Sequence, residues 1–594
     1  MLSRLSYLLC AICLLYTSFI FYPRWKTAGG NATISWDAAG YYWYLPSAII
    51  YHDLKGQHFK DSIVSKYRTA DNFQPGPRLP NGNYVFKYSS GMAVMSLPAF
   101  LVANSLAKPL GYPQDGFSPP YQLAIQLGGV LLALLGLWYF RKLLLRFYND
   151  TVVAITLFLL VIGSNYLDFA AIDVGMTHSN LFTVYVFLLL ATYNFYNTYK
   201  VRYAIAIGLL VGIATLTRPT DIIACIIPVL WGMESISLPA IRQRFALLKV
   251  HFSKLLIAAV CAVAVIFIQL AYWKYSSGHW LFYSYEDQGF SFLKPHVMAY
   301  TFSWESGWLL YTPILLLAFI GVIPFLKYGR NKVAILLFFL IDYYLVCAWD
   351  VTWYGGRAMV QGYPILFFCI AALLQWAFEH KVWLWVLVPV IGVFTYFNIW
   401  VTYQEHKGGL YIPAPSDFVT NAYFWRTAGR WSVPPDYVRL RDSKDLFEGV
   451  PHNMQLVYHN EFEQDSACFS VPPIDGKGSL FMDDNHKESP HYLLPVRYSN
   501  TASWLRAQAT IKCVNKEWEK WRMTQFVVQF SKAGKSVKGG LIRMQRYVEE
   551  DKPGEVYIDV KLPNHSFDKA EVFFINGYSD KKVIIDDLKV WSFN

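Results

Sequence analysis

The chain has 594 residues, of which 55% are hydrophobic and 16% charged, and it carries a formal net charge of +11. So long and charge-poor a sequence excludes one small soluble domain and fits a multi-span membrane protein. The basic residues are spread among apolar segments rather than gathered in one soluble patch, which argues against a nucleic-acid surface and for cytoplasmic loops.

In chain order, residues 5–22 form the first apolar segment. No A-x-A-like cleavage site follows, so it reads as an uncleaved span. The stretch SWDAAGYYWYLPSAIIYH (35–52) then sets one carboxylate, Asp37, at the head of a run of aromatic and aliphatic residues. An ionised group beside so much apolar surface has to be compensated. A helix beginning at Ser35 would align Asp37, Tyr41, Tyr44 and Ala48 on one face, with Asp37 pointing into an aromatic-lined site. The other reading is a carboxylate favouring the helix dipole, although Ser35 is already a candidate cap.

Residues 91–111 are apolar enough to count as a span, which would move Asp37 to the cytoplasm, and Arg24 with Lys26 lean the same way. They are read here as a re-entrant or surface-lying segment. Further apolar runs fall at about 121–140, 152–168, 177–196, 203–217, 219–233, 255–275, 308–326, 333–349, 358–376 and 382–402, giving about eleven transmembrane helices with the first. Basic residues recur in alternate loops (Arg141, Lys142 and Arg146; Lys200 and Arg202; 242–254; 327–332; Lys381). The intervening loops hold Asp168, Asp173, Asp221, Glu286, Asp287, Glu305 and Asp350. Because basic loops stay inside, these acids and the C-terminal region face outside, and the long loop 23–120 with them.

Four outer clusters could carry chemistry. Asp37 with Tyr41 and Tyr44 is the first. NYLDFAAIDVGMTHSNLF (165–182) brings Asp168, Asp173 and His178 to one hairpin, a composition shared by metal or proton-transfer sites and by ordinary polar turns. In TLTRPTD (215–221) Pro219 forces a helix boundary at Arg218, whose guanidinium suits an anionic headgroup and equally a snorkelling role. WDVTWYGGRAMVQGYPIL (349–366) joins Asp350, Tyr354, the pair Gly355–Gly356 and Arg357 at a helix start, an arrangement suited to phosphate. Beside it lies the loop 276–307 with Glu286, Asp287 and Glu305, which read equally as solvated charge. Asp342 is a carboxylate inside a span.

After residue 402 the composition turns polar. Residues 403–439 mix Pro, Gly and aromatics and read as an amphipathic connector, and from 440 to 594 strand-length alternation bounded by turns indicates an antiparallel β-sandwich. Trp504, Trp518, Trp521 and Trp591 are either core residues or platforms for sugar rings. Cys468 and Cys513, the two cysteines of this region, are a disulfide or two free thiols.

Several motifs in order, WDAAGYYWYLPSAI, FSPPYQLAIQLGGVLLALLGLWYFRKLLLRFY, GLLVGIATLTRPTD, SWESGWLLYTPILLLAFIGV and WYGGRAMVQGYPIL, resemble the GT-C fold membrane glycosyltransferases, in particular the protein O-mannosyltransferases and bacterial undecaprenyl-phosphate-sugar transferases. The closing VIIDDLKVWSFN resembles the last strand of jelly-roll carbohydrate-binding modules. The family resemblance implies a GT-C transmembrane catalytic domain over 1–402 and an extracytoplasmic β-sandwich over 440–594. It also implies transfer of a sugar from a polyprenyl-phosphate donor to a glycan, lipid or protein acceptor on the periplasmic face of a bacterial inner membrane. Carried over by position, Asp37 is the candidate base, with Asp173 or Glu305 as second acid because the family's paired acids are missing after the first span. Arg218 and Arg357 are the candidate donor-phosphate ligands, and Tyr41, Tyr44, His178 and Tyr354 line the pocket. No nucleotide, cofactor or metal is assigned, since the activated lipid supplies the energy. The rival class is a polytopic transporter or lipid-linked sugar flippase with a sugar-binding outer domain, which would show repeats and mid-membrane charge.

Overall fold

The computed structural model describes the chain except for residues 70–75, 305, 351–353, 409–424, 432–436, 438, 444, 464–470, 499–502, 516, 518–521 and 578. The chain divides into two compact units, Met1–Lys407 and Gly408–Asn594. The first is helical and the second is built from strands.

Among the described residues of the first unit, five helical segments are long and apolar enough to cross a membrane: Leu2–Lys26, Pro119–Leu144, Phe252–Ser277, Gly355–Glu379 and Lys381–Lys407. At 1.5 Å per residue, a helix of this length exceeds a hydrocarbon core of about 30 Å. Local chemistry sets the ends of the helices. Pro119 starts Pro119–Leu144 at a position that needs no N–H donor, and Asn149 caps Asp150–Val161 by accepting the Val152 amide at 3.0 Å. Gly278 closes Phe252–Ser277 at φ +83°.

All eleven expected apolar segments contain helix, but three are interrupted rather than continuous. The run 152–168 stops at Val161 and resumes as the short helix Tyr166–Ala171. The run 219–233 is a 3-10 stretch, Pro219–Cys225, followed by five helical residues. In 308–326, Pro313 separates Trp308–Tyr311 from Leu316–Tyr328. Summed hydropathy cannot see these breaks, because the residues on either side of them are equally apolar. Residues Gly91–Ala107 form a 17-residue helix, about 25 Å long. It buries Met92, Phe100, Ala103 and Ala107 and leaves Leu101, Val102 and Leu106 exposed.

In the second unit the strands are β1 (Gln455–Asn460), β2 (Leu480–Met482), β3 (Tyr492–Leu493), β4 (Trp504–Cys513), β5 (Gln525–Lys532), β6 (Lys535–Arg543), β7 (Pro553–Lys561), β8 (Lys569–Ile575) and β9 (Val583–Phe593). One sheet runs β1-β9-β4-β7 with β2 also on β9, and the other runs β3-β8-β5-β6. Every pairing between named strands is antiparallel. Strand β4 alternates strictly, burying Leu505, Ala507, Ala509, Ile511 and Cys513. These side chains join Phe526, Val528 and Phe530 of β5 and Val556, Ile558 and Val560 of β7 in one core, a sandwich. Trp504 and Trp591 are half-buried; Trp518, Trp521 and Cys468 lie outside the described residues. Most of the expected connector, 409–424 and 432–436, does too.

Candidate functional site

The first loop is anchored before it reaches Asp37. Arg24, just past the first helix, donates to Asn31 O at 3.0 Å, Gly30 O at 3.3 Å and Ser35 Oγ at 3.0 Å, and it pairs with Asp173. Two glutamines on one face of Pro119–Leu144 hold the same loop from beneath. Gln122 accepts the Ile34 amide at 2.8 Å. Gln126 accepts from Thr33 Oγ1 at 2.8 Å and donates to Ala171 O and Ser18 Oγ at 2.7 and 2.6 Å. Ser35 occupies the N-cap position of Trp36–Tyr42, but its hydroxyl donates backward to Gly30 O and Ala32 O instead of capping. The expectation that Ser35 caps this helix is therefore corrected: its hydroxyl is committed to folding the preceding turn.

Asp37 is 22% exposed, and each of its oxygens has a partner. The Tyr88 hydroxyl donates to Oδ1 at 2.7 Å and Arg357 Nη2 donates to Oδ2 at 2.8 Å. The Tyr41 ring stacks obliquely on Tyr88 at 4.3 Å. Burial, reinforced by Asp37, pushes the Tyr41 phenol up to about 12, and the same two causes, burial first, raise Tyr88 well above an ordinary phenol. Both therefore stay protonated donors through the physiological range. Tyr44 sits apart from the charges, its ring against Phe86 and Tyr272 and its hydroxyl donating to Tyr88 O at 2.7 Å, so it braces the backbone that presents Tyr88.

Arg357 lies on Tyr354–Gly362, whose first turn contains Gly355 (φ +72°) and Gly356 (φ +62°). A Cβ at Gly356 would come within 2.3 Å of Trp308 Cβ, so both the left-handed backbone and the close approach require glycine. Asn165 donates to Gly355 O at 2.7 Å and accepts from the Tyr363 hydroxyl at 2.6 Å, fixing the turn. The Tyr354 side chain lies outside what is described, as does Glu305.

Arg218 is the residue before Pro219 and is extended (φ −140°, ψ 117°), as a following proline requires. Its Nη1 donates to Gln361 Oε1 at 2.6 Å, and Gln361 Nε2 donates to Asp221 Oδ1 at 3.1 Å. Arg218 and Arg357 both act on Tyr41 and on His178. His178 is 4% exposed, and neither of its ring nitrogens has a hydrogen-bond partner. Asp37, Arg357, Arg218, Tyr41 and His178 thus come from four distant segments to one place.

The hairpin acids do not share a site with His178, contrary to the expectation from 165–182. Asp173 turns to Arg24, Asp168 to His406 Nε2 at 2.6 Å, and His178 toward the arginines. The break after Tyr166–Ala171 sends the three side chains in separate directions. Among the described residues, Asp168, Glu405 and His406 are the group that could hold a metal ion, their ligand atoms lying within 4.8 Å of one another. Arg24 acts on both carboxylates there, so much of their charge is already countered. In the loop 276–307, Glu286 and Asp287 are exposed. Asp350 accepts from Ser291 Oγ at 2.5 Å, which with His296 holds its carboxyl below the usual range.

Sequence reasoning missed Tyr88, Gln122, Gln126, Asn165 and Gln361. The glutamines had a readable signal: Gln122 and Gln126 stand i, i+4 on an apolar helix, and Gln361 follows Arg357 by four. No family model matches the chain, and no curated protein matches it. Among solved structures, the chain is similar to the apo crystal structure of an oligosaccharyltransferase from Archaeoglobus fulgidus, with 12% sequence identity and a TM-score of 0.39. The likeness covers 75% of this chain and 61% of that one, so this chain spans about three fifths of that protein's length.

Proposed function

We propose that this chain is a polytopic membrane glycosyltransferase of GT-C type that moves a sugar from a polyprenyl-phosphate donor to a hydroxyl acceptor. In this reading the reaction lies at the periplasmic face of a bacterial inner membrane, and the strand-built unit is extracytoplasmic. The observation that carries the reading is the convergence of one carboxylate, Asp37, with two guanidiniums, Arg357 and Arg218, around a buried imidazole whose nitrogens have unmet hydrogen-bonding capacity. Buried polar groups without partners are costly, so a site of this kind is built for a polar occupant.

The chemistry follows from these groups. The acceptor O–H gives its proton to Asp37 as its oxygen bonds to the sugar's anomeric carbon, and the bond from that carbon to the phosphate oxygen breaks. The leaving polyprenyl phosphate takes the electron pair, and Arg218 and Arg357 stabilise its growing charge. A guanidinium carries five N–H donors, so Arg357 can hold Asp37 and a phosphate oxygen together. Tyr88 orients the carboxylate, and Tyr41 with His178 closes the pocket. In this reading Asp173 holds Arg24 and supports the loop rather than the proton transfer.

A transfer assay in membranes supplied with polyprenyl-phosphate-sugar donors tests this. Asp37→Asn should lower turnover about 10²- to 10⁴-fold, the range for loss of a general base; turnover equal to wild type would remove Asp37 from the chemistry. A second reading, a lipid-linked sugar flippase, is favoured by one observation: Asp221 and Asp342 are buried beside a helix break. Vesicles that move labelled lipid-linked sugar across the bilayer without transferring it would establish that reading instead.

A further inference from the structure

We infer that Gln361 is a positioning residue: its side-chain amide is a neutral spacer between Arg218 and Asp221, keeping the guanidinium from collapsing onto that carboxylate and leaving its charge for a phosphate oxygen. The inference rests on the reading of Arg218 as a donor-phosphate ligand.

An amide has an acceptor at one end and a donor at the other, so it can bridge a cation and an anion without adding charge. Gln361 does this, accepting from Arg218 at 2.6 Å and donating to Asp221 at 3.1 Å. Gln361 and Asp221 are each 1% exposed. In so dry an environment opposite charges attract far more strongly than in water. Asp221 also lies within one turn of Arg218, its amide donating to Arg218 O at 2.8 Å.

Other charged and titratable groups facing Arg218 sharpen the need. Asp342, inside Lys332–Ala348, faces both Arg218 and Asp221. The buried Tyr185 hydroxyl lies beside both acids. Tyr41 and Tyr285 face Arg218 from the outer loops, and His178 faces it together with Arg357. The unpartnered imidazole marks the side on which a ligand would sit, and the acids mark the other. Because Gln361 and Arg357 are four residues apart on Tyr354–Gly362, one segment fixes the orientation of both guanidiniums.

The test is equilibrium binding of undecaprenyl phosphate in detergent to the full-length protein and its variants, with thermal melting as a control for folding. Gln361→Leu, and the near-isosteric Gln361→Glu that places a carboxylate directly on Arg218, should each weaken binding about tenfold or more. Adding Asp221→Asn to Gln361→Leu should bring the affinity back to within about threefold of wild type, because the competing charge is gone. A merely structural role for Gln361 predicts the opposite, a double variant weaker than either single one. If Arg218→Ala weakens binding while both Gln361 variants bind as wild type, or if Asp221→Asn gives no rescue, the spacer is overturned and the phosphate reading stands. If Arg218→Ala binds as wild type, the phosphate reading fails, and the spacer with it.

Discussion

The two units handle buried charge differently. In the strand-built unit Arg506 grips Asp559 with two parallel hydrogen bonds, 2.7 and 2.8 Å. Asp442 there is enclosed by Arg543 and Arg546 at 2.8 and 2.7 Å and also accepts the Arg543 amide at 3.0 Å. In the helical unit Asp37 meets Arg357 through one guanidinium nitrogen at the edge of a partly open site, and Arg218 reaches its acid only through an amide. The first arrangement saturates charge and fixes a fold. The second holds charge in a half-open pair and through a neutral amide, as a site that must exchange partners requires.

The contrast is broken most severely in the strand-built unit. Asp442→Ala leaves two guanidiniums in a site where their side chains are 6% and 5% exposed. Loss of one member of a buried ionic group costs about 3–5 kcal/mol, so melting of this unit should fall by several degrees while turnover per folded molecule holds. Arg357→Met, at a pair whose side chains are 25% and 22% exposed, should do the reverse. Its stability should fall by less than that of Asp442→Ala, while transfer drops roughly 10²-fold, about 2.7 kcal/mol of barrier. If both variants lost stability and activity in parallel, the distinction between the enclosed and the half-open ion pairs would fail.

Gln126→Leu comes next. Its amide ties Thr33, Ser18 and Ala171 together from a fully buried position. Leaving those groups unmet costs about 1–3 kcal/mol, and because Thr33 stands four residues before Asp37, transfer should fall with stability. Wild-type transfer in a variant that melts earlier would separate the loop anchor from the site.

Much of this site could be read in the sequence where a side chain is chemically out of place. Asp37 in an aromatic run, Arg357 after two glycines and Arg218 before a proline each break a local rule, and all three lie in one cluster. The sandwich was equally legible, since the alternation within β7 and β9 is a period-2 signal that survives without any tertiary knowledge. What could not be read was pairing between segments far apart in the chain. Asp173 turns to Arg24 and Asp168 to His406, although His178 is the nearer ionisable group in sequence to both. The helix breaks near 162, 218 and 312 were hidden for a related reason: apolar residues continue across them, and only the packed neighbours reveal where the hydrogen-bond ladder stops.

The smallest effect sharpens the contrast from the other side. Glu286 and Asp287 lie on the same loop system as Asp350 and Tyr285, but both carboxylates are exposed to solvent. Water already compensates such groups, so Glu286→Gln and Asp287→Asn should each change stability by less than about 0.5 kcal/mol. Transfer should remain within about twofold of wild type, because water and salt screen exposed charge. The measurement is a pair of transfer assays at low and at physiological salt. A fall in turnover that deepens at low salt would mean that charge on the loop 276–307 reaches the site, and the contrast between enclosed and half-open charge would then have to include that loop.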